Sequence, residues 1–139
     1  MSIPNHYLFV YGTLMKGFSN SFSRKLQQNA RWISQARFRG QLFDLGHYPG
    51  AIYDLKSETW VHGEVWELTG FEKVIVSLDR YEGVHLRKPE YIRQEVWVEL
   101  GTGESVWTWS YLFCKPIHSF VFIPHGDYRK WLLEPKQHL

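Results

Sequence analysis

A single cysteine, Cys114, is all the thiol chemistry available to this chain of 139 residues. That scarcity excludes an internal disulfide and any cysteine-based zinc cluster. Cys114 stands in an aromatic, strand-like stretch and is expected in the core. Charge of one sign is also lacking. The formal net charge is +2, and the basic clusters Arg37/Arg39, Arg87/Lys88 and Arg129/Lys130 are short, with acidic residues nearby. No nucleic-acid surface is therefore expected. Residues Met1 to His6 carry no basic-then-apolar leader pattern, and no apolar run approaches membrane-spanning length. The expectation is a soluble protein of a reducing compartment, most simply the cytoplasm, with no membrane partner. Seven histidines, from His6 to His138, show neither HxxxH nor HxH spacing. A metal site would have to be assembled from distant parts, and none is expected. A Gly-x-Ser-x-Gly elbow, a Cys–His motif and a phosphate-binding or dinucleotide glycine loop are also missing. Without repeats or linkers, residues 1–139 read as one domain, long enough to bury a core.

What the chain has in plenty is aromatic: 17% Phe, Tyr and Trp, with seven Trp. Such stiff side chains favour strands and line pockets as readily as they fill cores. Tyr7 to Tyr11 reads as a strand. Phe22, Leu26 and Ala30 share one face of a short helix, and residues 32–45 alternate as one or two strands. His47 to Gly50 reads as a turn, followed by a short strand at Ala51 to Tyr53. Thr59 to Leu68 alternates as a strand, with Gly63 marking a bulge or a close approach. Glu64 and Glu67 lie on its opposite faces, and each is expected to pair with an arginine. Thr69-Gly70-Phe71-Glu72 reads as a capping box. Phe71, Val74, Ile75 and Leu78 then recur at helical spacing, and Gly83 is a plausible stop. Residues 91–100 and 105–115 form a hairpin about Gly101-Thr102-Gly103-Glu104. In its second strand Trp107, Trp109, Tyr111 and Phe113 share a face, and both faces are expected to be covered. Gly126-Asp127 caps a last helix with a docking face of Tyr128, Trp131 and Leu132, whose aromatics could serve a homodimer. The order of elements favours an α+β domain with a curved or closed sheet.

Two stretches hold chemistry. Phe9-Val10-Tyr11-Gly12-Thr13-Leu14 reads as a buried strand running into a tight turn, which brings successive backbone N–H groups into one small space suited to oxygen atoms. The second is an acid in an apolar place. One more turn of the face set by Ile75 and Leu78 lands on Glu82. Burial and the negative end of the helix dipole both push a carboxyl toward its neutral form. A carboxyl poised near neutrality can take a proton and return it. The pattern leaves open the alternative that the helix frays at Tyr81 and Glu82 turns into solvent.

Together Val10-Tyr11-Gly12-Thr13-Leu14 and Leu78-Asp79-Arg80-Tyr81-Glu82-Gly83 resemble the gamma-glutamylcyclotransferase-like superfamily. Further matches are Gly17 to Asn20, Gly40 to Gly50, Val61 to Val65, Tyr91 with Arg93, Tyr111, and Gly126 to Arg129. The resemblance runs from about residue 7 to residue 131. It implies a compact mixed β-barrel with flanking helices and a cavity at one end. It also implies a cofactor-free enzyme that cyclises a small-molecule gamma-glutamyl compound to 5-oxoproline, releasing an amine or amino acid. On that resemblance Glu82 matches the general acid–base. Tyr11, Gly12, Thr13 and Leu14 match the loop whose backbone holds the gamma-glutamyl head, and Tyr91 and Tyr111 match aromatic hydroxyls near the pocket. Attack by the substrate's own amine needs no second nucleophile, which agrees with the missing motifs. The alternatives are a non-catalytic binding module on the same cavity and an enzyme that trims a specialised gamma-glutamyl metabolite. Ser21 departs from the superfamily's commoner form, where a histidine often follows the asparagine. The segments His47 to Gly50 and Leu86 to Glu90 are expected to shape the mouth.

Overall fold

The computed structural model describes residues 5–135. The leader reading of Met1 to Pro4, and His138, lie outside them.

The first strand, β1 (Tyr7–Val10), is short and almost wholly buried because it is flanked on both sides. A turn leads to α1 (Ser21–Gln28), whose start is fixed locally. The Asn20 side chain accepts from the N–H groups of Phe22 and Ser23, and Ser23 Oγ accepts from Asn20 N. The stretch at 32–45, together with Ala30, forms one strand of 15 residues, β2 (Ala30–Asp44). Its length lets it serve four partners. Its first part pairs with β4 (Trp60–Leu68), and its end pairs with β3 (Pro49–Tyr53) and β7 (Val121–Ile123). At Ala36 and Arg37 it also meets β5 (Tyr91–Leu100). β5 forms the expected hairpin with β6 (Ser105–Phe113), and β6 lies parallel to β1. The circuit β2-β4-β1-β6-β5 returns to β2. The fold is thus a closed five-stranded mixed barrel with β3 and β7 added on β2, together with α1, α2 (Phe71–Glu82) and α3 (Tyr128–Leu133).

Several expectations change. The turn proposed at His47 to Gly50 ends early: Pro49 and Gly50 already belong to β3, opposite Asp44 and Phe43. Gly63 marks a close approach, since a Cβ there would lie 2.2 Å from the Val10 carbonyl oxygen, while the irregular pairing falls on β2 between Trp32 and Ser34. The capping box at Thr69 is absent. Gly70 stands at the N-cap with a left-handed backbone, and the Thr69 hydroxyl donates to the Asn29 carbonyl 2.8 Å away. The aromatic face of β6 is covered at Tyr111 and Phe113 and partly at Trp109, and only its first residue, Trp107, is exposed. Val96, Val98, Thr108 and Ser110 are fully buried inside, while Trp97 and Trp107 pair at 5.1 Å on an exposed surface. Cys114 is exposed, because β6 ends at Phe113 and the chain leaves the sheet there. In α3, Tyr128 is buried and the Trp131 indole donates to Asp44, but Leu132 faces solvent. Both strand glutamates find arginines: Glu67 with Arg31 at 2.8 Å and Glu64 with Arg129 at 3.6 Å.

Candidate active site

A cavity of about 500 Å³ opens where β1 runs into its turn and α2 ends. Every residue singled out from the sequence lines it: Tyr11, Gly12, Thr13 and Leu14 from the turn, Glu82 from α2, and Tyr91 and Tyr111 from β5 and β6. His47, Tyr48 and Pro49 line it as well, as do Leu86, Lys88 and Glu90, so both segments expected at the mouth contribute. Arg80 and Tyr81 also line it and were not singled out. Their signal was available, because a helix that brings Glu82 to a cavity brings its last turn too.

Glu82 arrives there because α2 does not fray. Val74, Ile75 and Leu78 are buried and seat the helix. Gly83, at φ 72°, then closes it: the Gly83 N–H donates to the Arg80 carbonyl and the Val84 N–H to the Asp79 carbonyl. These are the two bonds of a Schellman ending, which needs the left-handed backbone that glycine adopts without strain. Asp79 anchors the same turn from its other side. Its carboxylate accepts from Arg93 Nε at 2.8 Å and from the Tyr111 hydroxyl at 2.7 Å, and the Arg93 guanidinium packs on Trp109.

The Glu82 carboxyl has no hydrogen-bond partner among the described residues. It keeps a partly exposed surface, and burial of the rest pushes its pKa from 4.5 up to about 7. The three tyrosines differ. Tyr11 donates to the Tyr111 carbonyl at 2.5 Å and Tyr91 to the Pro49 carbonyl at 2.6 Å, while Tyr111 is held by Asp79. Burial is the main cause that drives all three hydroxyls well above the ordinary phenol value, and the nearby Glu82 charge adds to it. They stay protonated and tie the strands together; the Tyr11 oxygen also accepts from the Ala51 N–H at 3.2 Å, whereas the Tyr91 and Tyr111 oxygens keep lone pairs for a cationic group.

The turn is held from behind. The Gly12 carbonyl accepts from Met15 N–H at 3.1 Å, and the Thr13 carbonyl accepts from Asn20 Nδ2 at 2.9 Å. Leu14 and Met15 are buried. Gly12 is required by a neighbour, since a Cβ would lie 2.9 Å from the Pro49 ring. The N–H groups of Gly12, Thr13 and Leu14 make no hydrogen bond among the described residues. The arrangement therefore combines a carboxyl that changes charge near neutrality with unspent backbone donors on one cavity wall. It suits proton transfer beside an oxygen that gains negative charge. Among the described residues, no group of three or more His, Cys, Asp or Glu is placed to hold a metal ion, and no helix is long and apolar enough to cross a membrane.

Comparison with known proteins places this fold. The family described as gamma-glutamyl cyclotransferase, AIG2-like, matches residues 8–130. The gamma-glutamylcyclotransferase family protein YtfP of Escherichia coli K12 is 30% identical, covering 87% of this chain and 94% of its own. The crystal structure of YkqA from Bacillus subtilis superposes with a TM-score of 0.69 at 31% identity, over 91% of this chain and 40% of that one. An AIG2-like protein from mouse, 22% identical, shares the fold with a TM-score of 0.62 over 95% of this chain and 85% of its own.

Proposed function

The chain belongs to the gamma-glutamyl cyclotransferase, AIG2-like family, and we propose that it cyclises a gamma-glutamyl compound to 5-oxoproline with Glu82 as the general acid–base. The observation that carries this reading is the unpartnered Glu82 carboxyl, poised at about 7 in a cavity that it shares with the Tyr11–Leu14 turn.

The reaction asks for folding and proton traffic more than for a strong nucleophile. The substrate's alpha-nitrogen attacks its own gamma-carbonyl carbon, a new C–N bond closes the five-membered ring, and the old amide C–N bond breaks. Two protons must pass from the alpha-nitrogen, which begins as an ammonium and ends as a lactam N–H, to the departing nitrogen, which leaves as an ammonium. Glu82 as carboxylate takes a proton from the first and returns it to the second, twice in turn. Holding the chain in a near-attack conformer is worth up to about 7–11 kcal/mol in favourable cases. The free N–H groups of Gly12 and Thr13 are suited to steadying the carbonyl oxygen as it gains charge. The oxygens of Tyr91 and Tyr111 are acceptors suited to the alpha-ammonium, and Arg80 and Lys88 line the cavity as cations suited to a carboxylate of the substrate.

The test is an assay of 5-oxoproline release from a panel of gamma-glutamyl amino acids, gamma-glutamyl amines and glutathione. Wild-type protein should turn over at least one member, with kcat/KM rising through pH 7 as Glu82 ionises. Glu82→Gln should keep the fold by circular dichroism and lose about a thousandfold or more in kcat. An active Glu82→Gln protein would remove the mechanism. Tight binding of panel members without turnover would point to a binding module on the same cavity.

A further inference from the structure

The Glu64–Arg129 pair does more than join two elements. We propose that these two residues are positioning residues that clamp the turn Tyr11–Leu14 in its working shape, an inference that rests on the cyclotransferase reading of the site. Glu64 is 4% exposed, on β4. Its Oε1 accepts from the Lys16 backbone N–H at 2.7 Å and from the Trp66 indole at 3.3 Å, and its Oε2 lies 3.6 Å from Arg129 Nη2. Arg129, on α3, also donates to the Lys16 carbonyl. Both polar groups of the Lys16 backbone, two residues beyond Leu14, are thus held by one ion pair.

The comparison with Glu67, three residues along the same strand, shows why this is unusual. Glu67 and Arg31 form a shorter bridge at 2.8 Å, yet both are substantially exposed. Exposed pairs of that kind contribute little to stability. Glu64 instead keeps a carboxylate out of water, which is costly unless its charge and lone pairs are met. Two of its three partners, the Lys16 N–H and Arg129, meet it at the far end of the turn, and the third, the Trp66 indole, comes from its own strand. The turn is otherwise secured by the Tyr11 hydroxyl at its start, by the Gly12–Met15 bond and by Asn20 on Thr13. The clamp anchors its far end and ties α3, remote in sequence, to the cavity wall that β1 begins.

The test uses Glu64→Ala, Arg129→Met and Arg129→Lys, with Arg31→Met as the control for an ion pair that bonds no part of the turn. Amide exchange is read at residues 12–16, and steady-state kinetics are taken with the best panel substrate well below the melting temperature. Glu64→Ala and Arg129→Met should speed exchange at Lys16 and lower kcat/KM by about tenfold to a hundredfold, the scale of a small misplacement. The pH midpoint set by Glu82 should not move. Arg129→Lys should recover part of the loss, and Arg31→Met should change neither reading. Should Glu64→Ala fail to fold, Glu64→Gln keeps an acceptor for the Lys16 N–H and removes only the charge. Unchanged exchange and kcat/KM in folded variants would overturn the clamp. If no panel compound is turned over, the cyclotransferase reading falls, and exchange at Lys16 still decides whether the pair holds the turn.

Discussion

At the level of single residues, the proposed acid–base role of Glu82 carries a cost in stability, and that cost is measurable. The folded chain keeps the Glu82 proton up to about 7, whereas the ordinary value is 4.5. Between those pH values the native state binds more protons than the unfolded one. This group's effect on stability therefore turns unfavourable as pH rises through the window, and the cost is complete above 7. A shift of that size corresponds to at most about 3 kcal/mol at pH 8. Glu82→Gln does not titrate, so its stability relative to wild type should improve from pH 4.5 to pH 8 by up to that amount. Urea unfolding of both proteins at the two pH values checks it. A difference that stays constant would mean that Glu82 ionises like a solvated carboxyl, and the acid–base role would lose its physical basis. The tyrosines carry no such cost, because their hydroxyls are already donated to Tyr111, Pro49 and Asp79.

At the level of elements, the site depends on how two helices begin and end. Asn20 does two jobs: its Oδ1 caps α1 and its Nδ2 holds the Thr13 carbonyl. Asn20→Ala should lose both, costing about 1–2 kcal/mol for the cap and weakening substrate binding. Asn20→Asp keeps the capping oxygen and loses the donor, so it should fall less in melting temperature while KM rises in both variants. Equal KM values for Asn20→Asp and wild type would separate the cap from the site. Local signals of this kind were readable in part. The stop at Gly83 was legible because Gly83 and the Val74-Ile75-Leu78 stripe are contiguous facts of the chain, but the pattern left open whether the last turn frays before it. The capping box at Thr69 was not there to be read. Its hydroxyl and its N–H both turn to the Asn29 carbonyl, forty residues back, and no local pattern shows that a distant acceptor competes with the helix end. The Asn20–Ser23 box went unmarked because serine replaces the usual Glu or Gln at its third position.

At the level of the whole molecule, the strands were legible and their partners were not. Alternation shows which residues share a face, but it is silent on which strand lies alongside and on which face is inside. Hence Trp107 reads as covered while the structure leaves it exposed on the outer wall, and Thr108 and Ser110, small enough for the interior of a narrow barrel, are fully buried inside. Closure itself rests on two pairs, Ala36 with Leu100 and Arg37 with Glu99, supported by the Arg37–Glu99 ion pair at 3.0 Å. β2 is the strand through which this architecture hangs together, for it pairs with β3, β4, β5 and β7. Its amides near Ala36 to Phe38 sit between β4 and β5 over the buried Phe38 and Phe9 rings, which pack at 5.1 Å. No local opening frees these amides without breaking the barrel, so they should exchange only through global unfolding and track its free energy. The segment 84–90 has mostly exposed side chains and lies outside the strands and helices, so its amides, apart from the bonded ones of Val84 and Leu86, should exchange rapidly. A native-state exchange series in rising urea would show the β2 amides merging with the global isotherm and the mouth segment remaining insensitive to urea. If β2 exchanged by a shallow, local route instead, the barrel would not be closed through β5, and the wall that carries Tyr91 and Tyr111 would be free to move relative to Glu82.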